Sequence, residues 1–291
     1  MPVRLDSAAR RAYAACAYAA FLAASLWGVL FLAGRGPLPT VDSTRTGPAW
    51  AAVLVDLGLW LVFGLHHSVM ARDRAKRWLT RVLPERVERS TYVLTVSLAL
   101  GLLFWQWRAL PATIWRIDAQ PWVTLVWVVY GAGWGITIAA TFMIDHWEFL
   151  GLRQAGWLSS RPTSPESVSR RWLYAWVRHP MMVGLLVAFW VTPVMTAGHL
   201  LFAVAASGYI AVGVHFEERD LRRHLGIAYD DYARQVPRLM PAPGPITAAV
   251  HARRGAVRPG AGSRRRVPGP NDPSSATVRP PELPATVTPP R

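Results

Sequence analysis

Charge is scarce in this sequence. Of its 291 residues only 17% are charged against 52% hydrophobic, and the charges gather in clusters between long apolar runs. A water-soluble chain would instead repeat its polar residues at the period of its helices or strands, giving each element one solvated face. That pattern is missing, which excludes the soluble globular class. Cysteine is almost absent as well: Cys16 stands alone inside an apolar segment. One chain therefore forms neither a disulfide framework nor a cysteine metal site. Lysine occurs once, as Lys76, so the formal charge of +15 is carried by arginine. Most of these arginines lie in connecting segments and in the C-terminal region, which argues against a nucleic-acid surface. Strand-like alternation is missing too, and with it a barrel. The runs are apolar all round, and a bilayer offers no water to unpaired backbone groups, so helices remain.

A helix needs ~20 apolar residues to cross the hydrocarbon core. Runs of that length extend from about Ala12 to Ala33, Trp50 to Met70, Thr91 to Leu110 and Trp122 to Ile144. The first is longer than a signal-peptide core and no convincing small-residue cleavage site follows it. A further run, Pro180 to His215, is interrupted at Thr192-Pro193 and again at Gly198-His199. It reads as a tight helical hairpin, short on both legs. The expectation is an all-α polytopic membrane protein with about six transmembrane helices.

Basic residues mark the cytoplasmic side. Arg4, Arg10 and Arg11 precede the first run, seven basic residues lie between Arg72 and Arg89, and five between Arg153 and Arg178; the alternate segments hold only Arg35, Arg45, Arg108 and Arg116. This asymmetry places both ends of the chain inside. Trp50, Trp105, Trp107, Trp115 and Trp122 then fall near the opposite interface, as an aromatic belt. After Met240 the composition turns to Pro, Gly, Ser, Thr and Arg, with half of the 24 prolines in residues 241–291. Such a segment cannot bury enough apolar surface to fold. A disordered cytoplasmic tail is expected, with Arg253, Arg254 and Arg264 to Arg266 available to anionic lipid.

Ionisable groups inside spans cost ~2.5 to 3.5 kcal/mol each at a helix centre, so they mark candidate sites. Asp56, Phe63 and His67 fall on one stripe of the second run, with His66 on the adjacent face; Asp145, His146 and Glu148 close the fourth. Both groups are expected near the cytoplasmic surface. Adjacent histidines diverge by about 100° on a helix, and no facing ligand pair accompanies them, so no metal site is expected. A denser pattern begins at Arg178-His179-Pro180, resumes at Glu217-Glu218 beyond the hairpin, and ends with Gly226, Tyr229, Tyr232 and Val236-Pro237-Arg238. Structurally, Pro180 starts a helix and Glu218 pairs with Arg222 at i, i+4. Together these residues form a lip of basic, acidic, imidazole and phenol groups around the hairpin.

This lip resembles the signature of the integral-membrane isoprenylcysteine carboxyl methyltransferase and phospholipid methyltransferase superfamily. Arg178, His179, Pro180, Gly184, Glu217, Glu218, Gly226, Tyr229, Tyr232, Val236 and Pro237 match it, while Met182 stands where that group usually has an aromatic. A closer resemblance, to the methanethiol S-methyltransferase subfamily of bacterial enzymes, is carried by His67-Ser68-Val69-Met70-Ala71-Arg72, by Glu88-Arg89-Ser90-Thr91-Tyr92-Val93-Leu94, by Trp105-Gln106-Trp107-Arg108, by Leu152-Arg153-Gln154, and by Trp190, Thr192-Pro193 and Gly198-His199-Leu200. The resemblance implies a multi-pass enzyme of the bacterial cytoplasmic membrane, with residues 1–240 as its methyltransferase domain. It further implies that S-adenosylmethionine is the methyl donor and a small thiol, methanethiol first, the acceptor. By the same analogy Arg178, His179, Gly184, Glu217, Glu218, Tyr229 and Tyr232 hold the donor. A free thiol is only slightly ionised at neutral pH, so a base would help; His67, Asp145 and His146 are the candidates. Methylation of a prenylcysteine carboxylate or a phospholipid amine stays open as an alternative, as does a non-enzymatic haem or denitrification-associated membrane protein.

Overall fold

Uninterrupted apolar composition becomes helix in the computed structural model, which describes residues 5–43, 45–159 and 172–240. The expected tail lies outside the described residues. In chain order the elements are α1 (Ser7–Leu32), α2 (Ala49–Met70), α3 (Asp73–Leu79), α4 (Glu88–Gln106), β1 (Thr113–Arg116), α5 (Trp122–Ile144), α6 (His146–Phe149), α7 (Pro180–Trp190), β2 (Val194–Thr196), α8 (Ala197–Leu225) and α9 (Ile227–Gln235). Five helices, α1, α2, α4 with the 3-10 turn before it, α5 and α8, are long and apolar enough to cross a bilayer. Large apolar side chains such as Leu61, Leu98, Val128 and Ile138 are more than half exposed on them. That surface suits lipid as the surrounding solvent. The chain is an all-α polytopic membrane protein.

The short hairpin is asymmetric, contrary to expectation. α7 has 11 residues, about 16 Å at 1.5 Å per residue, whereas α8 has 29. Gly198-His199 does not interrupt α8; it is the first turn. Thr196 caps that turn by accepting from the His199 amide at 3.1 Å, and His199 Nε2 lies 3.0 Å from the Phe189 carbonyl near the end of α7. Gly198 lets the Leu110 backbone approach: a Cβ there would lie 3.1 Å from the Leu110 nitrogen. Beyond α7 the chain continues extended, and β2 pairs antiparallel with β1, matching Thr113 with Thr196 and Arg116 with Val194.

An aromatic core ties the helices together. Phe31 stacks on Phe104 at 4.7 Å, and Phe202 is met edge-on by Trp60, Trp107 and Phe189 at 5.0, 5.6 and 5.5 Å. Trp107, expected in the interfacial belt, is therefore a core residue with 1% exposure; Trp50, Trp105 and Trp122 are exposed as a belt requires. α5 and α7 approach most closely, at Gly133 and Gly184, where a Cβ on Gly184 would lie 2.5 Å from the Gly133 carbonyl and from Thr137 Oγ1. Small residues permit this backbone contact.

The connecting segments group by side. At one end Arg89 donates to the Phe149 carbonyl, Gln154 accepts from the Arg89 amide, and Arg72 pairs with Asp220 at 3.7 Å. At the other, Thr196 donates to Asp42, and the Ala109 and Ala197 amides donate to the Arg45 and Ala112 carbonyls. These are the two sets that basic-residue counting assigns to inside and outside. With Cys16 replaced by Ala, a cysteine at Thr113 should react with an impermeant thiol reagent in intact cells and one at Thr80 should not. The reverse pattern would invert the topology.

Candidate functional site

Glu218 is the centre of the lip. It follows Ala206, Ile210 and Val214 along the buried stripe of α8 and is itself fully buried. A carboxylate is tolerated there only if paired and hydrogen-bonded. Arg178 Nη2 and His179 Nε2 lie 2.8 and 3.2 Å from its Oε1, and Arg238 Nη2 lies 2.6 Å from Oε2. Arg222, one turn on, stands 3.7 Å away, the expected i, i+4 pair. Backbone bonds complete the tie: the Arg178 and His179 amides donate to the Pro237 and Arg238 carbonyls. One side chain thus joins the segment before α7, the end of α8 and the segment after α9.

Local sequence explains the rest of the lip. Gly226 takes φ +51° between α8 and α9, a left-handed value that favours glycine. Tyr229 and Tyr232, three apart on α9, then present one face and are buried with Val236. Tyr232 donates to the Tyr174 carbonyl at 2.7 Å. Burial, with the Glu218 carboxylate nearby, pushes the Tyr229 phenol up to about 12, so it stays a hydrogen-bond donor. Burial likewise pushes Tyr174 to about 12, with Glu217 and Tyr232 adding to it. The hydrogen bond to Glu218 raises Arg238 above the ordinary arginine value, against a smaller opposing effect of burial.

Three polar groups of the lip are not taken up by this tie. The Tyr229 hydroxyl and Arg178 Nε are buried with no hydrogen-bond partner among the described residues. Glu217 is 52% exposed, its Oε2 3.5 Å from His179 Nδ1. Two donors and a carboxylate are a fitting set for a ligand carrying carboxylate, hydroxyl and cationic groups. Gly184 is placed elsewhere, in the α5 contact. Tyr174 and the pairing of Arg238 with Glu218 were not anticipated. Arg238 directly follows the Val236-Pro237 motif, but nothing local indicates its partner.

The candidate bases lie at two other junctions. His67, on α2, has Nε2 3.0 Å from the Tyr92 hydroxyl of α4 and Nδ1 2.7 Å from the Tyr209 hydroxyl of α8. Asp56 shares its stripe but not its depth, eleven residues or about 16 Å away; it accepts from the Arg108 amide at 2.9 Å among the segments of the opposite end. His146 stacks on Phe142 at 4.1 Å. Thr141 Oγ1 gives its one hydrogen to the Ile138 carbonyl at 2.7 Å, so it accepts from His146 Nδ1 at 2.8 Å, and Nε2 receives the Tyr18 hydroxyl at 3.2 Å. Burial holds the His146 pKa below its ordinary value, with Asp145 opposing.

Asp145 caps α6 through the Glu148 amide and pairs with Arg153 at 3.0 Å. Burial works to raise its carboxyl, but the Glu148 amide and the Arg153 guanidinium outweigh it and hold the group below its ordinary value. A depressed folded-state value adds stability above the unfolded value of ~3.9 and loses it as pH falls through the folded value. Asp145→Asn should therefore melt below the parent protein at neutral pH, and the gap should close on acidification. A gap that persists at low pH would contradict the pairing.

Relatives cover most of the chain. A methanethiol S-methyltransferase of Mycobacterium tuberculosis is 47% identical over 233 residues, 79% of this chain and 95% of the relative. Methanethiol S-methyltransferase 2 of Bradyrhizobium diazoefficiens is 45% identical over 234 residues, 79% and 88% of the two chains. Nurim of Pan troglodytes is 30% identical over 206 residues, 64% and 78%. No family model matches the chain, and no solved structure does.

Proposed function

Because the chain belongs to the methanethiol S-methyltransferase family, we propose that it transfers a methyl group from S-adenosylmethionine to the sulfur of methanethiol, giving dimethyl sulfide, in the cytoplasmic membrane of a bacterium. The observation that carries the donor site is the pair of buried groups without a partner among the described residues, the Tyr229 hydroxyl and Arg178 Nε, beside the open Glu217. When bound, S-adenosylmethionine supplies a methyl group on a sulfonium centre, open to in-line displacement by sulfur. Glu217 accepts from the donor's ammonium or ribose hydroxyls; Arg178 Nε and Tyr229 donate to its carboxylate or ribose oxygens. His179 steadies Glu217, and Glu218 acts behind them, fixing Arg178 and His179 in place. Alignment of this kind contributes ~7 to 11 kcal/mol in well-oriented reactions.

Of the three candidate bases, His67 has the strongest support. Asp145 is committed to Arg153 and to its helix cap. His146 is stacked, with Nδ1 fixed by Thr141. His67 has a phenol on each nitrogen, and phenols pass protons.

Glu217→Gln keeps side-chain volume and removes one charged acceptor from an open position. Donor affinity should fall by about 1.5 to 3 kcal/mol, roughly ten- to hundredfold, with thermal stability preserved. Calorimetry on the purified protein checks it; unchanged affinity would remove Glu217 from the donor site. The function itself is tested by headspace detection of dimethyl sulfide from cells fed methanethiol. Residues 1–240 are proposed to be sufficient, so the full chain and one truncated after Ala249 should both produce it. Inserted protein that releases none, with label from the donor appearing in lipid, would favour the prenylcysteine or phospholipid reaction instead.

A further inference from the structure

Methyl transfer to a thiol releases a proton, and the interior of this bundle contains a string of groups suited to carry it. His67 contacts Tyr209 at 2.7 Å through Nδ1 and Tyr92 at 3.0 Å through Nε2, and the Tyr209 oxygen lies 3.4 Å from Ser68 Oγ. A neutral imidazole has one donor and one acceptor nitrogen, so one phenol must donate to it and the other accept from it. The shorter bond is read as Tyr209 donating to Nδ1, with Ser68 donating to Tyr209. Nε2–H then donates to the Tyr92 oxygen, and the Tyr92 hydrogen is left to point onward. The string Ser68, Tyr209, His67, Tyr92 thus has a single polarity across α2, α8 and α4.

Its exit end is well placed. Tyr92 lies in the first turns of α4, at the end where the inner segments gather, and the Arg89 guanidinium sits 5.0 Å over its ring. The other ionisable groups that bear on His67 and Tyr92 are His66 beside them on α2 and Glu88 at the start of α4. Packing fixes the entry phenol: Gly64 leaves room for the Tyr209 ring, since a Cβ there would come within 3.2 Å of it. Trp60 and Phe63 flank the same ring at 6.4 and 6.0 Å.

We propose that Tyr209 takes the thiol proton as a catalytic residue, and that Tyr92 is a positioning residue on the other nitrogen of His67, so that the proton is relayed through the imidazole to the cytoplasmic interface. The balance is simple. The S–H bond of the thiol breaks and its electron pair makes the new S–CH₃ bond. The donor's C–S bond breaks with its pair returning to the donor sulfur. The freed proton enters at the Tyr209 oxygen, the Tyr209 proton moves to Nδ1, the Nε2 proton moves to Tyr92, and the Tyr92 proton leaves to water; the imidazole, left protonated on Nδ1, returns to its Nε2–H form before the next turnover. No oxidant or reductant is required.

The proposal rests on His67 as the base in the reading above, and the test separates the two. Purified full-length Tyr209→Phe, Tyr92→Phe and His67→Gln are compared for kcat, KM for methanethiol, donor affinity, pH profile and solvent deuterium isotope effect. Each Phe variant should lose about a hundredfold in kcat, with KM and donor affinity within about twofold and an altered acid limb and isotope effect. Parent-like kcat and pH profile in both Phe variants, with His67→Gln impaired, would overturn the relay and leave His67 as base. Full turnover by His67→Gln would remove the base itself. Should Tyr209→Phe melt well below the parent, Tyr92→Phe on the other nitrogen carries the test alone, and normal kcat there overturns the relay.

Discussion

Glu218→Gln should abolish measurable donor binding and loosen the whole C-terminal lip. The substitution leaves volume unchanged but faces Arg178, Arg238, Arg222 and His179 with a neutral amide inside a fully buried position. Removing one partner of a buried charge network costs about 3 to 5 kcal/mol, chiefly because the others are left uncompensated. Those partners are also the groups that orient Glu217 and bring the segment before α7 against the segment after α9. The expected signature is early trypsin cleavage at Arg222, Arg234 or Arg238 together with loss of donor binding. Glu217→Gln, by contrast, should lose affinity alone. A Glu218→Gln protein as protease-resistant as its parent, with donor affinity merely lowered, would mean that Glu218 touches the donor and does not act through its neighbours.

Gly184→Ala should destabilise the bundle more than its one added carbon would suggest. The new Cβ would sit 2.5 Å from the Gly133 carbonyl and Thr137 Oγ1 and 2.7 Å from the Thr137 nitrogen. Two of these are backbone atoms of a helix that cannot rotate away. α7 must then move off α5, at an overpacking cost of about 1 to 3 kcal/mol or somewhat more. Because α7 begins at Pro180, directly after His179, the shift also disturbs the donor lip. A markedly lower melting temperature in detergent is the expected result. Parent-like melting with weakened donor binding would return Gly184 to the donor site, the role the motif resemblance implies for it.

The sequence is most legible where one physical rule dominates. The limits of α2 and α5 follow from hydrophobic length, and the Glu218–Arg222 pair from helical spacing. It misleads where one residue type serves two purposes. Thr192-Pro193 does end a helical stretch, but Gly198-His199 looks like a second breaker and is a capped first turn made for close approach to Leu110. The charged end of α8 reads as a surface helix, although Glu218 in it is fully buried. Periodicity gives the face of a residue and not its depth, which is why Asp56 and His67 share a stripe yet serve opposite ends. Two short strands of four and three residues leave no period to detect. The pairing of His67 with Tyr92 and Tyr209 spans 25 and 142 residues, a relation no local pattern encodes.

Transfer of an isotopically labelled methyl group settles whether the lip and the bundle together perform the proposed reaction. Purified full-length protein in nanodiscs, given S-adenosylmethionine with a deuterated methyl group and unlabelled methanethiol, should release dimethyl sulfide carrying the label, and Glu217→Gln should require a higher donor concentration to do so. Donor that stays intact, or label recovered in lipid with none in dimethyl sulfide, would contradict the assignment of a small thiol as acceptor.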